Sequence, residues 1–83
     1  MQTKIKDLRP NLIEYLELHQ LTKKWNKAKR LFEQNIYHNS LNFELLEPKH
    51  LNIYSFRIDL KYRAVFIFVN SEVEIISFTN HYK

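Results

Sequence analysis

Eighty-three residues carrying a formal charge of +4, with no cysteine and no glycine, describe one small domain over residues 1–83 with a modest core. Without cysteine there is no disulfide, thiol nucleophile or cysteine-based zinc site. Without glycine there is no P-loop, dinucleotide-binding fingerprint or nucleophile elbow, because each needs backbone that only glycine supplies.

A pI near 9.4 favours an anionic partner such as nucleic acid or an acidic protein, although a charge of this size is also common in ordinary soluble proteins. Met1 is followed by charged residues, so no signal peptide is expected. The longest apolar run, Ala64 to Val69, is too short to span a bilayer. A cytoplasmic protein without membrane association is the expectation.

Gln2 to Asp7 alternates weakly and reads as a short edge strand guarded by its lysines. Pro10 then breaks the chain. Asn11, with Glu14 three positions on, reads as the capping box of a first helix whose stripe is Leu12, Ile13, Leu16 and Leu21. A second helix is predicted from Thr22 to Ile36, because Trp25, Ala28, Leu31, Phe32 and Ile36 share one face. Its lysines and Arg30 form either a solvated face or a basic ridge for phosphates, in which Lys23 and Lys27 would take part.

From Tyr37 to Asn52 the chain is polar, but Leu41, Phe43, Leu45 and Leu46 are too apolar for a free loop. A short extended piece packed on the sheet is expected there. His38 reads as structural, closing the turn after the second helix. Three strands follow. Tyr54, Phe56, Ile58 and Leu60 alternate with Ser55, Arg57 and Asp59. Tyr62 to Val69 is apolar almost throughout, so it reads as a central strand covered on both faces. Glu72 to Thr79 alternates at its start, and Asn70-Ser71 supplies a two-residue hairpin turn. Helices first and an antiparallel meander afterwards make an α+β domain. The helices should cover one sheet face and leave the other free.

Three features are not needed for packing: Arg57, Arg63 and the closing His81-Tyr82. The two arginines could be structural, paired across strands with Asp59, Glu72 or Glu74. Histidines 38, 50 and 81 lack the spacing of a metal site.

Together, His38-x-Ser40-Leu41, Tyr54-Ser55-Phe56-Arg57-Ile58, Tyr62-Arg63 and His81-Tyr82 resemble the RelE/ParE superfamily of bacterial toxins. The resemblance covers Tyr37 to Lys83 by motif and the whole chain by length and element order. The terminal His-Tyr makes it most similar to the YoeB-like branch. The resemblance implies a small twisted antiparallel β-sheet with two N-terminal helices packed on one face. It also implies the toxin of a type II toxin–antitoxin pair, an endoribonuclease that cleaves messenger RNA in the ribosomal A site. Its partners would be messenger RNA, the ribosome and a cognate antitoxin, in a hetero-oligomeric toxin–antitoxin complex.

By that resemblance the working residues are Glu44, Arg63, His81 and Tyr82, with Lys49, His50, Arg57 and Lys61 contacting phosphate. The chain departs from the pattern at Glu47-Pro48-Lys49-His50, so Glu47 competes with Glu44, and Lys83 follows the His-Tyr. The chemistry is self-consistent without metal or cofactor. RNA carries its own nucleophile, the 2′-hydroxyl, and needs only a base, a cation and an acid. A carboxylate, an arginine fork and a histidine are that set. Two rival expectations are a ParE-like toxin that inhibits DNA gyrase without cleaving RNA, and a catalytically inactive family member that binds only an antitoxin.

Overall fold

In the computed structural model, which describes residues 3–80, helix α1 (Pro10–Leu18) and helix α2 (Thr22–Gln34) precede four strands. These are β1 (Glu44–Leu45), β2 (Tyr54–Arg57), β3 (Arg63–Val69) and β4 (Glu72–Thr79). All neighbours pair antiparallel in the order β1-β2-β3-β4, so the expected α+β meander is present and the extended piece at Glu44 is its first strand.

The start of α1 differs from expectation. Pro10 is the first helical residue and Arg9 the N-cap, with no side-chain capping bond. Proline suits that position because its φ is already helical and the missing N–H has no partner there in any case. Asn11 therefore lies inside the helix. Leu12 and Leu16 are buried one turn apart, whereas Ile13 is exposed. Gln20 takes a left-handed φ of 57° between the helices, and Leu21 tucks into the core.

Helix α2 is built as its stripe predicts but ends at Gln34. Trp25, Ala28 and Phe32 are buried. Phe32 stacks on Phe56 at 4.5 Å and meets Phe66 edge-on at 5.3 Å, while Trp25 lies 5.2 Å from Phe78. These rings, with Ala64, Val73 and Ile75, form the core between the helices and one sheet face.

Strand β3 is interior, but it is fully buried only at Ala64 and Phe66, on one face. Ala64 and Phe66 are buried against the helices, while Arg63, Val65 and Ile67 on the other face are half-buried. The register shifts between Val65 (opposite Ser77) and Phe66 (opposite Ile75). Ile76 is the extra residue of a β-bulge, which lets Ile75 and Phe78 both turn to the core. The N-terminal segment is not a full strand. It makes one parallel bridge, Ile5 to Val73, with Lys6 N–H donating to the Val73 carbonyl at 2.8 Å. It covers the outer edge of β4, and Glu33 receives the Ile5 N–H at 2.9 Å.

The turns do without glycine. Among the described residues five take positive φ, and three of these are asparagine: Asn42, Asn52 and Asn70. Asn70 and Ser71, at φ 52° and 69°, form the expected hairpin turn. The β2–β3 connection is longer than its alternation predicts. Strand β2 ends at Arg57, and Leu60 is exposed. Asp59 organises this turn: its Oδ1 accepts the N–H groups of Lys61 at 2.8 Å and Tyr62 at 2.7 Å, and its Oδ2 accepts from Lys24 at 3.0 Å.

Burial pushes the Asp59 carboxyl up, but the Tyr62 N–H, Lys24 and the Lys61 N–H outweigh it, and the net shift is downward. A depressed folded-state value stabilises the protein fully above the ordinary carboxylate value of about 3.9 and progressively less as pH falls through the folded value. Asp59→Ala should therefore cost about 1–2 kcal/mol at neutral pH. In urea titrations the difference from the parent should shrink as pH is lowered below about 4.

Candidate functional site

Side chains on a strand alternate between faces. Because Phe56 faces the helices, Ser55 and Arg57 face away from them. Pairing places Glu44 opposite Ser55, and Arg57 directly opposite Arg63. Residues opposite each other share a face, so Glu44, Ser55, Arg57 and Arg63 come together on the helix-free side of the sheet.

Their contacts follow from this register. Arg63 Nε–H donates to Ser55 Oγ at 2.9 Å, and its Nη2 donates to the Asn42 carbonyl at 2.7 Å. Glu44 Oε1 stands 3.5 Å from the same nitrogen. The Arg63 side chain is 14% exposed and that of Glu44 is 53% exposed. Burial lowers the Arg63 pKa, the Glu44 carboxylate opposes the shift, and neighbouring Arg57 adds to it. The guanidinium stays charged at neutral pH all the same.

Among the described residues neither arginine makes an ion pair with Asp59, Glu72 or Glu74. Asp59 serves its own turn and Lys24, while Glu74 is taken by Arg9 and Lys6. Arg57 makes no hydrogen bond or ion pair among the described residues. Two cations stand face to face with one carboxylate between strands, a surplus of positive charge suited to an anion.

Three of the other predicted residues lie on exposed turns of the sheet. Lys49 and His50 are exposed in the 3₁₀ turn Lys49–Leu51 between β1 and β2, and Lys61 is exposed in the β2–β3 turn. No hydrogen bond or ion pair joins their side chains to the arginines. Glu47 is exposed and, unlike Glu44, makes no ion pair with Arg63. His81 and Tyr82 lie outside the described residues. Strand β4 ends at Thr79, opposite Arg63. His38 closes its turn by accepting the Ser40 N–H on Nδ1 at 3.1 Å. Among the described residues no three His, Asp or Glu side chains gather as metal ligands would.

Two members of the cluster escaped the sequence reading. Ser55 is 1% exposed and is the one buried polar residue described. The other is the backbone of Asn42, left-handed at φ 46° and ψ 55°, whose carbonyl holds Arg63. Ser-x-Arg on a strand was the available signal for Ser55. Nothing local marks a carbonyl.

This helix pair on a four-stranded antiparallel meander is the fold seen in solved structures of YoeB and YoeB/ParE toxins. Solved structures share it over the whole chain. YoeB in a YoeB–YefM complex from Staphylococcus aureus matches with a TM-score of 0.67 and 23% identity, covering 99% of this chain and 100% of that one. The YoeB/ParE toxin from Agrobacterium tumefaciens matches at 0.68 and 20% identity, covering 99% and 100%. A YoeB dimer from S. aureus matches at 0.68 and 20%, covering 99% and 98%. No protein-family model and no curated protein matches the chain. No helix described is long and apolar enough to cross a membrane.

Like charges directly opposite on paired strands destabilise a sheet by about 0.2–1 kcal/mol. Arg57→Gln should therefore leave stability unchanged or raise it, with any gain largest at low salt. Arg63→Ala should lower stability by about 1–3 kcal/mol, because it strips buried Ser55 and the Asn42 carbonyl of their donor. Urea melts of both variants at low and high ionic strength check the pair.

Proposed function

We propose that this protein is the toxin of a type II toxin–antitoxin pair and an endoribonuclease acting on messenger RNA at the ribosomal A site. The observation that carries the reading is the register pairing of Arg57 with Arg63 on the bare sheet face, with Glu44 beside Arg63. The toxin-like fold supports it.

In this reading Glu44 takes the proton of the 2′-hydroxyl, which attacks the adjacent phosphorus. Arg63 and Arg57 hold the non-bridging oxygens as negative charge accumulates on them. His81 protonates the departing 5′-oxygen, and a 2′,3′-cyclic phosphate remains. Tyr82 stacks on a base or donates to a phosphate oxygen. The exposed Lys49, His50 and Lys61 contact flanking phosphates. No step needs a metal.

YoeB of S. aureus forms a heterotetrameric complex with YefM, and a cognate antitoxin is the corresponding partner here. An open groove beside Arg57, lined by Lys24, Lys27, Leu31, Leu41 and Leu60, suits a segment of mixed acidic and apolar character.

Induced expression in a bacterial host should arrest growth and create new 5′ ends at translated codons, read by primer extension. Glu44→Gln and His81→Ala should each lower the cleavage rate by about 10²–10⁴, while Glu47→Gln should cleave as the parent does. Loss of cleavage in Glu47→Gln alone would transfer the base to Glu47. Arrest without new ends would replace the nuclease reading with gyrase inhibition. A folded protein that causes no arrest would leave an antitoxin-binding module.

A further inference from the structure

The two arginines on the bare face are held very differently. Arg63 is tied at two points, Nε–H to Ser55 Oγ at 2.9 Å and Nη2 to the Asn42 carbonyl at 2.7 Å. Of its five N–H groups, those on Nη1 make no hydrogen bond among the described residues. Arg57 has no tie among the described residues.

Ser55 is an unusual residue for its place. It sits at 1% exposure in the middle of a sheet whose other fully buried positions are apolar. A valine or alanine would pack there without a hydroxyl to satisfy, and strands favour β-branched side chains. Among the described residues the hydroxyl's donor is Arg63. Asn42 is unusual in a complementary way: its left-handed backbone sits two residues before Glu44, the carboxylate that also meets Arg63.

We infer that Ser55 and the Asn42 carbonyl are positioning elements that lock the Arg63 guanidinium in one orientation with Nη1 presented to the substrate phosphate, while Arg57 is an untied arm that follows the phosphate as its charge grows. This rests on the nuclease reading for its purpose, but the locking of Arg63 is a property of the protein alone. A prealigned donor avoids reorganisation at the moment of reaction, and small misplacements of such groups cost about 10²-fold in rate.

Two readouts test it on the full chain. The first is hydrogen exchange at the arginine Nε–H groups by ¹H–¹⁵N NMR, assigned with Arg57→Lys and Arg63→Lys. The Arg63 Nε–H should exchange at least about tenfold more slowly than that of Arg57, as hydrogen-bonded sites do. Ser55→Ala should abolish the difference and Ser55→Thr, which keeps the hydroxyl, should restore it. The second is cleavage on programmed ribosomes, where Ser55→Ala should lower kcat by about 10- to 100-fold with KM little changed, and Ser55→Thr should recover it.

If Ser55→Ala loses its fold by circular dichroism, Asn42 decides. Asn42→Gly keeps the left-handed backbone and should preserve Arg63 protection. Asn42→Val, which disfavours that backbone, should speed exchange. Equal exchange of the two arginines in the parent, or a folded Ser55→Ala with unchanged kcat, overturns the inference. A parent that cleaves nothing but still protects the Arg63 Nε–H would sink the nuclease reading and leave the locking intact.

Discussion

The stack of Phe32 on Phe56 is the contact on which the remaining geometry depends. Both rings are fully buried, and Phe66 closes the group from β3. A buried phenylalanine contributes about 3–5 kcal/mol, a large share of the stability available to a chain of this size. The stack also sets direction. Once Phe56 faces α2, alternation turns Ser55 and Arg57 outward, and pairing with β3 brings Arg63 opposite Arg57. A slip of one residue would bury an arginine under the helix and expose the phenylalanine, so the aromatic core enforces the register that assembles the cluster.

That cluster breaks the local rules the surrounding sheet obeys. It places like charges directly opposite each other, a hydroxyl in a buried strand position and a left-handed residue before the first strand. Each is unfavourable taken alone, by a few tenths to about 1 kcal/mol. Conflicts of this kind concentrate where a protein does something other than fold. Here the opposed arginines and the buried hydroxyl fall within one small area, and elsewhere the charges are used conventionally: Asp59 caps a turn, Glu33 holds the N-terminal segment, and Glu74 binds Lys6 and Arg9.

How much of this could be read from the sequence varies with the range of the signal. The α2 stripe and the Asn70-Ser71 hairpin were legible because periodicity and turn chemistry act over a few residues. Asn11 and Glu14 imitate a capping box, and the helix nevertheless starts at Pro10, where ring geometry prevails. Alternation alone carried β2 as far as Leu60, but the Asp59 turn ends the strand at Arg57. The bulge at Ile76 left no mark, because a β-branched run looks the same in or out of register. In the site, the arginines stood out as charges within apolar strands. Two of the acids that alternation offers them, Asp59 and Glu74, are claimed from outside the sheet, by Lys24 of α2 and by Lys6 and Arg9 of the N-terminal segment.

The absence of glycine links the fold to the site. Asparagine fills three left-handed positions at a modest backbone cost and gives up less entropy on folding than glycine would. At Asn42 this does more than turn the chain. The reversal aims a carbonyl back at Arg63 and then delivers Glu44 to the same guanidinium from β1, a strand only two residues long. The result is an arginine clamped at the sheet surface beside an exposed carboxylate, rather than at the bottom of a cleft. A surface site of this kind fixes its own cation but leaves the substrate unconstrained. On the proposed nuclease reading, the alignment of the 2′-hydroxyl with its phosphate would then come from whatever holds the RNA, and a ribosome-bound message would suit such a site better than free RNA.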